Sequence, residues 1–222
     1  MELNADFTMR AVVHGSRIPW VPSPIQGVER RMLDRIGDEV ARATTIVRYA
    51  PGSHFSAHTH GGGEEFLVLA GVFTDEDGDF PTGSYVRNPP TSRHTPRSAP
   101  GCTILVKLCQ FDPEDRTQIR LNTEERPFVA APGRSGVEIK PLFQDAHETV
   151  RLERWAPATK VRLPSPGGLE LFVLSGGFTE GTETFEPYSW LRLPGRTALE
   201  AKTGPSGCTL WMKSGHLTET CP

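Results

Sequence analysis

The stretch His58–Gly71, HTHGGGEEFLVLAG, gathers side chains that bind metal ions: two histidines flank one threonine, then come three glycines and two glutamates. An extended chain puts alternate side chains on one face. His58 and His60 therefore point the same way, with imidazoles near enough to share an ion. The glycines permit a tight return. The strand that follows opens with Glu64 and Glu65, and the turn geometry decides which of the two faces the histidines. Residues 81–94, PTGSYVRNPPTSRH, add His94 after a proline-rich turn. Three neutral imidazoles and one carboxylate suit Zn2+, Fe2+, Mn2+, Ni2+ or Cu2+ and make a poor cage for Ca2+ or Mg2+.

These residues need strands to position them, and the composition supplies strands. Glycine (22) and proline (20) punctuate short runs of aromatic and β-branched residues, and helical periodicity is scarce. The stretch from Val28 to Arg42, interrupted by Gly37, is expected as at most one short helix or a loop. The fold class is all-β, sandwich or barrel. The chain also resembles itself at a spacing of about 106 residues, too long for a solenoid unit. Arg48-Tyr49-Ala50-Pro51 returns as Arg154-Trp155-Ala156-Pro157, Gly61-Gly62 as Gly167-Gly168, and Ser84-Tyr85-Val86-Arg87 as Ser189-Trp190-Leu191-Arg192. Two copies of one β domain are expected, 1–124 and 137–222, joined near Glu124–Gly136. In the second copy the stretch PSPGGLELFVLSGG sets Pro164 and Pro166 opposite the two histidines and Leu199 opposite His94, with Glu170 kept opposite Glu64. The second copy is therefore expected to hold no metal.

The formal net charge of −3, with both signs interspersed, gives no basic face for nucleic acid. No apolar run approaches a membrane span, and the N-terminus lacks a signal region. The cysteines 102, 109, 208 and 221 form no CxxC pair and read as reduced thiols of a cytoplasmic protein. Cys102 recurs as Cys208, which argues for packing rather than redox chemistry. Arg48, Arg87 and Arg93 read as solvated, and Tyr49, Phe66 and Phe73 as core. Asp75-Glu76-Asp77-Gly78-Asp79 lacks the spacing of a calcium loop and reads as a solvated hairpin turn.

Gly52–Gly71 fits the first cupin motif, a glycine, five residues, HxH, a glutamate and a closing glycine. Gly83–His94 fits the second, with Thr91 where that motif has a glycine. More closely, HTHGGGEEFLVLAGVFTDEDGDFPTGSYVRNPPTSRHTP resembles the ChrR-type cupin domain, the sensing half of certain zinc anti-sigma factors that also occurs in stand-alone proteins. It is similar to cupin dioxygenases that cleave diketones or hydroxylated acetophenones. The resemblance implies a tandem double cupin with one divalent transition metal, zinc or iron foremost, manganese or nickel next. It implies His58, His60, Glu64 and His94 as ligands. Glu65 reads as a neighbour of the site or a solvated residue, with the alternative that it is the ligating carboxylate. His54, an even count before His58, reads as an ordinary strand histidine, with the pocket wall as its alternative. No HxxxCxxC site is present, so a sigma factor is not implied as a partner. The expected partners are a small-molecule ligand and a second copy of the chain. Two functions stand side by side: a metal-binding sensory or regulatory module, and a non-haem metal-dependent dioxygenase acting on a small diketone or hydroxylated aryl ketone.

Overall fold

A computed structural model describes residues 1–38 and 40–217; Cys221 lies outside them. Apart from one 3-10 turn at Thr123–Glu125, regular structure among the described residues is β. No helix among them is long and apolar enough to cross a membrane. The chain divides into two compact units. The first is Met1–Ala5 with Ile18–Glu125; the second is Asp6–Arg17 with the chain from Arg126 onward. The short strand Ala11–His14 thus belongs to the second unit, where it pairs with Ser189–Leu193.

In the first unit the main sheet runs in the order Glu2–Leu3, Val28–Gly37, Ala41–Tyr49, Cys102–Leu108, Glu64–Asp75, Ser84–Asn88, Ile119–Asn122, all antiparallel. Neighbours far apart in sequence, such as Ala41–Tyr49 beside Cys102–Leu108, are the crossovers of a jelly roll. The segment expected as a short helix or loop is a hairpin instead. Val28–Gly37 pairs with Ala41–Tyr49, and Gly37 takes φ +105 where the chain turns. The run Thr44-Thr45-Ile46-Val47 favours the pleated surface over a helix, and the ladder overrides the charges that suggested otherwise.

Alternation fixes what the site can contain. Along Glu64–Asp75, Phe66 and Val68 face a core with Val47, Tyr49, Phe73, Val86, Ile104 and Val106. Glu64 stands two residues before Phe66, on the same face. Glu65 and Leu67 take the other face, which is buried too. The second unit repeats the order, with Thr149–Trp155, Thr197–Ser214, Leu169–Glu180 and Ser189–Leu193 as successive neighbours. Its core includes Trp155, Leu163, Leu169, Phe178 and Leu199.

Each unit pinches its long strand against a neighbouring turn through a glycine. Gly71 has φ +76, and a Cβ there would lie 2.0 Å from the Gly101 carbonyl oxygen; Gly176 has φ +68 and the corresponding distance to Gly207 is 2.1 Å. Both the backbone angle and the space exclude a side chain. Gly71→Ala or Gly176→Ala should therefore destabilise its unit by about 2 kcal/mol or more, read as a lower midpoint in calorimetric melting.

Candidate metal centre

His58–Thr59 and Arg93–His94 form a two-strand ladder in which His58 lies directly opposite His94. The His60 carbonyl accepts from the Thr91 amide at 2.8 Å, and the His60 amide donates to the Ser92 carbonyl at 2.9 Å. Backbone bonds thus fasten the HTH segment to the turn that carries His94. The three histidines offer nitrogens all within 4.8 Å of one another and could hold a metal ion. His60 Nε2 and His94 Nε2 are 2.9 Å apart. Glu64 Oε2 lies 3.5 Å from each of those nitrogens and accepts from Asn88 Nδ2 at 3.1 Å. His60, Glu64 and His94 are buried, and His58 is half-buried.

Neighbours fix the rings. His58 Nδ1 donates to the Ser56 carbonyl at 3.0 Å. His94 Nδ1 donates to Asp75 Oδ2 at 3.1 Å. A hydrogen on each Nδ1 leaves each Nε2 with a lone pair directed into the cluster. Burial lowers the pKa of His60, helped by the neighbouring His94 and His58 and opposed by Glu64. For His94, burial also works against the charge, but the hydrogen bond to Asp75 and the charges of Glu64, Asp75 and Glu76 outweigh it, and its pKa is raised. Nitrogens held about 2.0–2.1 Å from one ion stand roughly 2.9–3.4 Å apart between right-angle and tetrahedral geometry. The 2.9 Å between His60 and His94 fits that span, and the donor set fits a divalent transition metal.

Asp75 corrects the expectation of a wholly solvated acidic turn. It ends its strand 2% exposed, while residues 76–79 are exposed. Glu76 accepts from the Thr95 amide at 2.8 Å, which pulls its carboxyl down to about 2. Sequence reasoning missed Asp75 because the run of acids around it masked the one whose place on the strand turns it inward. Thr91, at the position where the motif has glycine, adopts φ +74, a strained angle for a β-branched residue.

A cavity of about 490 Å³ adjoins the cluster and includes His58, His60 and Glu64 in its wall. Val28, Val47, Phe55 and Leu108 give it apolar sides, and Tyr49 and Arg30 also line it. Pro24, His54, Ser56 and Ala57 are lining residues exposed to solvent and mark its mouth. Tyr49 is thus core and pocket wall at once. Burial drives its phenol well above the usual value, with Glu64 acting in the same direction, and it stays neutral.

Glu65 faces away from the cluster. It accepts from the Tyr85 hydroxyl at 2.6 Å and lies in register with Arg87 and Lys107. Of the three arginines expected to be solvated, Arg87 is instead buried and donates to Asp115 at 2.7 Å. Arg48 is exposed and donates to Glu29, and Arg93 is exposed. Burial pushes the Cys102 thiol up to about 11 and the Cys208 thiol to about 12, which suits packing.

The second unit corrects the alignment read from the sequence. Leu199 pairs with Leu163 as His94 pairs with His58. The Ser165 carbonyl accepts from the Arg196 amide at 2.9 Å, as that of His60 does from Thr91. Leu163 and Ser165, not Pro164 and Pro166, therefore occupy the two histidine positions. Glu170 is in register with Arg192 and Lys213, as Glu65 is with Arg87 and Lys107, so it corresponds to Glu65, and Leu169 stands for Glu64. Three buried leucines and a serine, its hydroxyl bonded to the Pro194 and Thr197 carbonyls, fill the place of the cluster.

Residues 8–112 match the family described as the ChrR cupin-like domain. No curated protein sequence matches the chain. Among solved structures, a candidate dioxygenase from Nostoc punctiforme is 17% identical with TM-score 0.74, covering 96% of this chain and 82% of that one. A cupin 2 conserved barrel domain protein from Leptotrichia buccalis is 9% identical with TM-score 0.60, covering 92% and 95%. A deletion mutant of Bacillus subtilis oxalate decarboxylase is 10% identical with TM-score 0.64, covering 92% and 76%. These likenesses carry the fold, an all-β tandem double cupin, and the stretch 8–112 is similar to the ChrR cupin-like domain.

Two substitutions test the local geometry. Thr91→Gly should relieve the strained angle and stabilise the first unit by about 1 kcal/mol, seen as a higher melting midpoint. Asp75→Ala should free the His94 ring and lower metal affinity by roughly 10–100-fold, measured by competition with a chromophoric chelator.

Proposed function

We propose that the first unit is a mononuclear divalent-metal centre, held by His58, His60, Glu64 and His94, that binds a small organic molecule in the adjoining cavity. The observation that carries this reading is the cavity itself. A purely structural ion would be sealed by its ligands, whereas here about 490 Å³ of partly apolar space reaches His58, His60 and Glu64. A bound ion would supply Lewis acidity and, if ferrous, oxygen chemistry. The protein's own residues account for the rest. Ser56 and Asp75 hold two rings in the tautomer that presents Nε2, and Asn88 orients Glu64. Tyr49 stays a neutral phenol able to donate a hydrogen bond to an occupant, while Val28, Val47, Phe55 and Leu108 exclude water from it.

Within this reading, the reaction class is oxygen-dependent cleavage of a small diketone or hydroxylated aryl ketone: His58, His60, Glu64 and His94 would hold the ion, and a ferrous ion there would supply the oxygen chemistry. A sensory module is the second reading, favoured by the ChrR cupin-like match over 8–112. Phe55 lines the cavity, while Phe66 and Val68 lie in the core.

Elemental analysis of protein purified without added metal should find one transition metal per chain. His58→Ala and His94→Ala should each reduce occupancy to a small fraction, and Leu199→Ala should leave it unchanged. Occupancy should fall as pH drops through the imidazole range, because protons compete for the same lone pairs. After ferrous loading, oxygen uptake with small diketones should appear and vanish in His58→Ala. Tightly held zinc with a large rise in melting temperature and no uptake with any metal would favour the sensory reading.

A further inference from the structure

We infer that Arg30 recognises the anionic end of the cavity's occupant, which is a small organic acid with an apolar body and a second oxygen for the metal; this rests on the metal-centre reading above. Arg30 sits on the Val28–Gly37 strand two residues after Val28, so both side chains take the same face. Its register partner is Val47, and Val28, Arg30 and Val47 all line the cavity. The Arg30 side chain is thereby set among apolar residues of the wall.

That guanidinium is not consumed within the protein. Arg30 Nε is buried and has no hydrogen-bond partner, and among the described residues no carboxylate forms an ion pair with Arg30. The adjacent Glu29 is taken by Arg48 at 2.5 Å, and the neighbouring Arg31 stacks on Trp20 with 4.3 Å to the ring centroid. A buried donor left unmade costs free energy, and a planar fork matches a carboxylate through two parallel bonds. The lining favours the same sign. Arg30 and His54 are basic, and Glu64, committed to the metal cluster, is the one acid among the lining residues. Apolar walls strengthen the attraction by lowering the local dielectric. Ile25, Phe55 and Leu108 offer the surface for the carbon body.

The test compares benzoylformate with its methyl ester, which keeps the ring and the keto oxygen and removes the charge. Metal-loaded protein is titrated with each by calorimetry, as wild type, Arg30→Gln and Arg30→Lys, with metal content measured in all three. The wild type should prefer the acid over the ester by about tenfold or more, the effect of a hydrogen-bonded charge. Arg30→Gln should abolish the preference while ester affinity and metal content stay unchanged, and Arg30→Lys should restore part of it. Equal binding of acid and ester by the wild type, binding of neither, or a preference that survives Arg30→Gln would overturn the assignment; the first two need no variant. A chain that takes up no metal would instead overturn the metal-centre reading, and the acid–ester comparison on metal-free protein would still decide for or against Arg30.

Discussion

Three imidazoles and a carboxylate crowd together in one largely buried cluster, an arrangement that a shared cation would relieve. His60 and His94 bring ring nitrogens to 2.9 Å, and Glu64 stands 3.5 Å from both. With neither a shared ion nor a shared proton, the lone pairs of His60 and His94 would face one another at that distance. The chain nevertheless secures this arrangement from several directions. The ladder sets His58 against His94, backbone bonds tie His60 to the Thr91 turn, and Asp75 and Asn88 reach in from separate strands. A strained threonine at the turn is consistent with a local conformation fixed by these bonds rather than by its own preference.

The second unit removes that constraint and keeps the scaffold. Leucines stand where His58, Glu64 and His94 would be, and they join the core. What persists is the charge pattern on the opposite face. Glu65 with Tyr85 reappears as Glu170 with Trp190, whose indole donates at 2.9 Å, and both glutamates lie between an arginine and a lysine strand. This pattern therefore belongs to the architecture of both units, whereas the imidazole cluster belongs to one.

Much of this was legible in the sequence. The period-two spacing of His58 and His60, the glycines after them and the late His94 announce the cluster, and turn-forming residues between β-branched runs announce the all-β fold. Other features were hidden for physical reasons. Glu64 and Glu65 are chemically alike, so only the register shows that Glu170 descends from the second of them. Asp75 hides in an acidic turn because burial depends on which way a strand ends. Arg30 was masked because the charges of Val28–Gly37 weaken the strand pattern, and its role depends on the neighbour across the ladder being Val47.

The exchange of the segment Asp6–Arg17 into the second unit has a consequence for how the chain is made. The strand Ala11–His14 leaves the ribosome early, but its partner Ser189–Leu193 emerges only after the whole first unit has been synthesised. At translation speeds of about 5–20 residues per second, that edge strand waits on the order of ten seconds or more. During that interval the strand Ala11–His14 is without its ladder partner. Cutting a gene for this protein between the two units would consequently strand the segment on the wrong fragment and leave an open sheet edge on the other.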